Sequence, residues 1–195
     1  MTSPGKRLLL VLTAGALALT GCSTGDGAVD VNNGGEFRFE AGTPDGEVIP
    51  LAERASAPEF SGTLLDGEPY SSTELDGDVA VLNFWASWCG PCRTETPDFQ
   101  ELYAEVRDRG VEFLGINVKD KQQLATAFFE RYDVEFPSLF DPRSEVVLAF
   151  RDYPANAIPT TVVLDRQGRV AAVYTSEVRQ DVLRETIDRV LAEGD

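Results

Sequence analysis

The sequence predicts an α/β domain with a central mixed β-sheet flanked by helices, and three observations carry that prediction. Val79-Ala80-Val81-Leu82-Asn83-Phe84-Trp85 is a nearly unbroken apolar run, the pattern of a strand buried on both faces. A helical pattern follows it, with Phe99, Leu102, Tyr103 and Val106 spaced i, i+3, i+4 and i+7. Late in the chain, residues 160–164 and 169–174 read as strands on either side of the turn Asp165-Arg166-Gln167-Gly168. Strand and helix alternate twice and then give way to a hairpin and a helix. That order describes a parallel sheet extended by an antiparallel pair.

The remaining elements follow in order. Residues 60–65 read as a strand, and Asp66-Gly67 as a turn. Ser71 to Leu75 carries the spacing that caps a short helix, and Asp76-Gly77-Asp78 breaks it. Residues 111–118, with Gly115 inside them, form a second buried strand after a helix that ends near Gly110. Residues 122–132 read as a helix with Leu124, Ala127 and Phe128 on one face. A short strand at 136–140 and a short helix at 145–150 follow. Residues 179–192 form the last helix, with Leu183, Ile187, Val190 and Leu191 inward.

Ahead of this domain the chain reads as an address. Lys6 and Arg7 precede an apolar run of 12 residues, 8–19. A membrane-spanning helix takes about 20 residues, so the run fits a signal-peptide core instead. It ends in Leu19-Thr20-Gly21-Cys22, which resembles a bacterial lipobox. The resemblance implies a diacylglyceryl group on the Cys22 sulfur and attachment to the outer, extracytoplasmic face of the cell membrane. The expected organisation is a lipoprotein signal peptide at 1–21, a lipid-anchored tether and lead-in at 22–56, and the α/β domain at 57–195. Residues 23–35 have the Gly, Ser, Asp and Asn composition of a flexible tether, residues 36–40 alternate like a short edge strand, and residues 41–57 read as a loosely attached lead-in.

Composition narrows the chemistry. The chain has 33 Asp+Glu against 17 Lys+Arg. Loss of the leader removes two positive charges from a net of −16 and leaves −18. Such a surface repels phosphate backbones, so nucleic acid is not expected as a partner. There is no histidine, which removes most metal sites and the Ser-His-Asp and Cys-His nucleophile systems. No cofactor and no metal are expected, and a monomer is the default. Cys22, Cys89 and Cys92 are the three cysteines.

The buried strand runs straight into Trp88-Cys89-Gly90-Pro91-Cys92, and a helix follows. A Cys-x-x-Cys at a helix N-terminus puts the first sulfur where backbone N–H groups and the helix dipole stabilise a thiolate. The thiolate is the attacking species in disulfide exchange, so Cys89 is the natural nucleophile and Cys92 the resolving thiol. A zinc site would want two more ligands, and there is neither a spare cysteine nor a histidine. A purely structural disulfide would close too small a loop to stabilise much.

The stretch from Asn83 to Cys92 resembles the active-site strand and loop of thioredoxins. Ile158-Pro159-Thr160 resembles the segment in which that fold carries a cis-proline facing the disulfide. The resemblance covers residues 57–193 and implies a thioredoxin-like fold. It also implies that Trp88, Gly90, Pro91, Ile158 and Pro159 contact substrate, with the Ile158 backbone pairing to an extended segment. The alternative readings are a strand-start proline for Pro159 and a structural ring for Trp88, while Trp85 reads as core.

Asn83 stands where cytoplasmic thioredoxins carry a buried aspartate, and Glu95 lies one helical turn beyond Cys92. This pairing resembles the extracytoplasmic branch called TlpA-like or ResA-like, and implies that Glu95 tunes the active-site thiols. Ala57-Pro58-Glu59-Phe60 and Asp66-Gly67 resemble that branch's entry hairpin, and residues 119–150 resemble its central insertion, so the resemblance implies an N-terminal β-hairpin extension and a central insertion. The other reading of Glu95 is a first-turn glutamate favoured by the helix dipole.

The same branch implies a thiol-disulfide oxidoreductase that takes electrons from a membrane thiol donor. Its implied task is to reduce protein disulfides such as those of apocytochrome c during cytochrome c biogenesis. Gly90-Pro91 is the thioredoxin dipeptide, which goes with a reducing potential, about −270 mV in thioredoxin itself. The competing direction is a disulfide oxidase or isomerase acting on secreted proteins. A peroxidase of the peroxiredoxin class would place Thr or Ser where this chain has Ala86.

Overall fold

The computed structural model describes residues 48–153 and 155–194. The expected leader, Cys22, the tether and the short strand at 36–40 lie outside the described residues. Seven strands and four α-helices follow one another: β1 (Ser61–Thr63), β2 (Pro69–Ser71), β3 (Val79–Trp85), α1 (Gly90–Val106), β4 (Val111–Val118), α2 (Gln122–Arg131), β5 (Ser138–Asp141), α3 (Glu145–Ala149), β6 (Thr160–Leu164), β7 (Val170–Tyr174) and α4 (Gln180–Ala192). Among them no helix is long and apolar enough to cross a membrane.

Five strands form one sheet in the order β5-β4-β3-β6-β7. β3 is parallel to β4 and β4 to β5, whereas β6 runs antiparallel to both β3 and β7. The apolar run of β3 is explained by its central place, where every one of its residues is buried. One face of β3 (Val79, Val81) packs with Phe99, Leu102 and Val106 of α1 and Leu183, Ile187 and Val190 of α4. The other (Ala80, Leu82, Phe84) packs with Phe60, Leu75, Val146, Val147, Phe150 and Tyr153. This is the thioredoxin-like fold, with the β1–β2 hairpin in front and α2, β5 and α3 inserted between β4 and β6.

Local chemistry sets several boundaries. Ser71 and Glu74 form a capping box at the 3-10 turn Ser72–Leu75. Pro91 sits in the first turn of α1, where a missing N–H is tolerated. Gly115 has a packing reason: a Cβ there would lie 2.8 Å from Trp85 Nε1 and 2.7 Å from Ser138 Oγ. The glycine lets the Trp85 indole reach across β4 and donate to Ser138 Oγ at 3.1 Å.

Two expectations need correction. α2 turns inward through Ala125 and Phe128, while Leu124 is 53% exposed and Ala127 is also exposed. The two phenylalanines Phe128 and Phe129 pack on Trp85 and rotate the helix so that Leu124 faces out. The described part of the lead-in is not loosely attached. Ile49 N–H donates to Ala171 O, Ala57 N–H to Gly168 O, and Val170 N–H to Ala55 O. Arg54, its side chain fully buried, joins Asp165 at 3.1 Å and Glu193 at 2.6 Å. The lead-in therefore clamps the β6–β7 turn to the end of α4.

Candidate active site

Cys89 is the N-cap of α1, and its Sγ accepts a hydrogen bond from Cys92 N–H at 3.2 Å. The two sulfurs are joined in a disulfide. Cys92 is wholly buried and Cys89 is 4% exposed, so the edge of the pair that meets solvent belongs to Cys89. Gly90 and Pro91 are exposed beside it. Both cysteines pack with Trp85, Ala86, Ala125 and Phe128, and Ile158 lies against the same cluster. The Ile158–Pro159 peptide bond is cis. The structure thus gathers Cys89, Cys92 and Ile158 in one cluster, with Gly90 and Pro91 exposed at its edge.

Glu95 occupies the buried side of this arrangement. It is 1% exposed. Asn83 Nδ2 on β3 donates to its Oε1 at 2.9 Å and to Thr161 Oγ1 on β6 at 3.2 Å. Val178 N–H donates to Oε2 at 3.4 Å. Burial pushes the carboxyl up from 4.5 to about 8; the Asn83 and Val178 donors oppose that push, and the nearby Glu177 charge adds to it. A first-turn glutamate placed only for the helix dipole would be solvated, so that reading does not fit the burial. Asn83, noted for departing from aspartate, is the amide that tethers Glu95.

Trp88 is 56% exposed, and its Nε1 donates to Lys119 O at 3.1 Å. Trp85 is core and stacks on Phe129 at 4.7 Å. The residue before Trp88 is held by a clamp that the sequence reading did not find. Asp120 accepts from Ser87 N–H at 2.6 Å, Ser87 Oγ at 3.0 Å, Asn117 Nδ2 at 3.2 Å and Lys121 N–H at 2.8 Å. Burial alone would raise the Asp120 carboxyl, but these hydrogen bonds outweigh it and hold it below the ordinary carboxylate value. From the other side, the Arg93 guanidinium donates twice to Ser87 O, at 3.0 and 2.8 Å. One signal pointed there: Lys119-Asp120-Lys121 follows the C-terminal end of β4, beside the C-terminal end of β3, where sites collect in α/β sheets.

A thioredoxin-like sheet presenting a Cys-x-x-Cys disulfide at the start of α1 is the framework of a thiol-disulfide oxidoreductase, and this chain is one. Residues 54–173 match the AhpC/TSA family, and the chain belongs to it. Thiol-disulfide oxidoreductase ResA of Geobacillus thermodenitrificans is 31% identical over 144 residues, 74% of this chain and 81% of that one. A DsbF homologue from Corynebacterium diphtheriae superposes with a TM-score of 0.73 at 34% identity, covering 79% of this chain and 98% of that one. A secreted thiol-disulfide isomerase from Corynebacterium glutamicum gives 0.74 at 31% identity, over 80% and 97%.

Proposed function

We propose that this protein is an extracytoplasmic, lipid-anchored reductase of protein disulfides, with Cys89 as nucleophile, Cys92 as resolving thiol and Glu95 as their proton partner. The observation that carries the reading is the buried Glu95, hydrogen-bonded to Asn83, one turn beyond the buried Cys92. In the disulfide form Cys89 Sγ accepts the Cys92 N–H at the positive end of α1, a place that stabilises the thiolate that reduction leaves there. That thiolate attacks one sulfur of a substrate disulfide. A Cys89–substrate S–S bond forms and the other substrate sulfur leaves as a thiolate. Cys92 then gives up its proton and attacks Cys89 Sγ. The Cys89–Cys92 bond forms, and the second substrate sulfur leaves. The substrate gains two electrons, and the protein loses two electrons and the Cys92 proton; the substrate thiolate released first takes its proton from solvent.

Glu95 serves the second step. Burial pushes its carboxyl up to about 8, toward the range in which thiols titrate, which suits it to exchange a proton with Cys92. Trp88, Gly90, Pro91 and the Ile158–Pro159 segment form the surface a substrate strand lies on.

Location rests on the lipobox-like Leu19 to Cys22 and on the secreted relative from Corynebacterium glutamicum. The substrate class proposed from the ResA relationship is the disulfide of an apocytochrome c, supplied with electrons by a membrane thiol donor. The isomerase named among the similar structures supports a second reading, disulfide rearrangement in secreted proteins. The test is a Cys92→Ser variant expressed in its own cells. It should accumulate mixed disulfides through Cys89, with apocytochrome c among the adducts. Adducts made only of other secreted proteins would favour the second reading, and the absence of adducts would sink both.

A further inference from the structure

The whole-molecule charge of −16 suggests a basic partner, but three cations stand on the segments that adjoin the disulfide. Apart from Lys6 in the leader, the chain has two lysines, Lys119 and Lys121. Both stand in the β4–α2 loop that holds the residues before Cys89. Lys119 O accepts from Trp88 Nε1, and Lys121 N–H donates to the Asp120 that holds Ser87. Arg93 adds a third cation from α1, its N–H donating to Cys89 O at 3.4 Å and its guanidinium to Ser87 O. All three side chains are exposed.

These cations also differ in their pairing from most of the other surface arginines, Arg131 and Arg166 being the exceptions among the described residues. Arg107, Arg109, Arg143, Arg179, Arg184 and Arg189 each sit in an ion pair with a carboxylate. Among the described residues, no carboxylate stands within ion-pair distance of Arg93, Lys119 or Lys121. The one acid in their midst, Asp120, is committed to Ser87, Asn117 and the Lys121 backbone. Trp88, tied to Lys119 O and next to the Ser87 that Arg93 holds, offers an exposed apolar ring beside these residues.

We propose that this face selects protein substrates whose reacting cysteine is flanked by acidic residues, which Arg93, Lys119 and Lys121 receive around the Trp88 ring. The proposal rests on the exchange reading of Cys89 and Cys92 and names its substrate class. The Debye length is about 8 Å at physiological salt. Acidic groups on distant faces are therefore screened from a segment docked at the disulfide, and the local cations decide its fit.

The experiment uses the reduced protein and three peptides that share one internal disulfide, flanked by glutamates, glutamines or lysines. Reoxidation of the protein is followed by tryptophan fluorescence, since Trp85 packs on the pair and Trp88 adjoins it. At low salt the glutamate peptide should react fastest and the lysine peptide slowest, about three- to tenfold apart, in the range of electrostatic steering. High salt should compress the spread. Lys119→Asn with Lys121→Gln should abolish it, asparagine being suited to the φ of +51° at position 119. Arg93→Gln alone should reduce it. Arg143→Gln with Arg189→Gln removes the same charge elsewhere and should leave the order intact. A flat or reversed order at low salt overturns the proposal while leaving exchange in place. If none of the three peptides reacts, the exchange reading itself falls, and the proposal with it.

Discussion

Replacing Glu95 by Gln should change how stability depends on pH, and the size of the change follows from the burial of one carboxyl. In the folded protein that group titrates near 8 and in the unfolded chain near 4.5. The folded value is the higher one, so folding favours the protonated form. Below about pH 4.5 both states are protonated and the contribution to stability is fully present. As pH rises, the unfolded chain ionises while the folded protein holds its proton, and stability drains away until about pH 8. The window from 4.5 to about 8, at about 1.36 kcal/mol per pH unit, comes to about 5 kcal/mol.

The assay is urea unfolding of the oxidised protein and of Glu95→Gln at intervals from pH 5 to 9. Oxidation keeps Cys89 and Cys92 from titrating. Subtracting one curve from the other cancels Asp120, Glu112 and the other groups that both proteins share. The wild type should lose stability relative to the variant with a slope of about 1.4 kcal/mol per pH unit through this window. A difference that stays flat between pH 5 and 8 would refute the reasoning, because the carboxyl would then titrate alike in both states.

Other expectations can be checked with ordinary equipment. Gly115→Ala should destabilise the protein by about 1–3 kcal/mol, since its methyl group would press into the Trp85–Ser138 hydrogen bond; urea midpoints and tryptophan fluorescence read this directly. Asp120→Ala leaves the Ser87 N–H without its acceptor. It should lower stability by about 1–3 kcal/mol and slow exchange at Cys89, measured as the rate of disulfide reduction. Arg54→Ala strips a buried cation from Asp165 and Glu193. Asp165 keeps Arg169 at 2.9 Å, so the loss should sit at the low end for a broken buried pair, about 3 kcal/mol. Unchanged denaturation midpoints would remove the lead-in clamp from the account.

The parts of the fold legible in the sequence are those whose burial follows a regular period along the chain. β3 and β4 are covered on both faces, and their apolar runs read directly as strands. α1 and α4 bury one stripe against the same sheet face, and their periodicity showed it. α2 was read with the wrong face because Leu124 carries more apolar weight than Ala125, while the register is set by Phe128 and Phe129 packing on Trp85. No local pattern could show that. The lead-in was underestimated for a similar reason. Arg54 sits among alanines, prolines and glutamates, and its partners lie 111 and 139 residues away.

The site divides along the same line. Cys89, Cys92, Trp88 and Pro159 are contiguous motifs and could be read as such. Asn83 and Glu95 were noticed as a pair, but the 2.9 Å hydrogen bond between them exists only once α1 packs over β3. The Asp120 clamp was missed because its partner Ser87 lies 33 residues away. In sequence, Asp120 is one acid among many.

The central claim is that Cys89 and Cys92 work as an electron-delivering dithiol outside the cytoplasm, and thiol trapping in intact cells tests it most directly. An alkylating probe of known mass reads the steady-state redox state of the pair. The account predicts a pair mostly reduced despite oxidising surroundings, becoming oxidised when the supply of electrons through the membrane is cut. A pair that stays oxidised whether or not that supply is intact would contradict it, and would place the protein among disulfide donors.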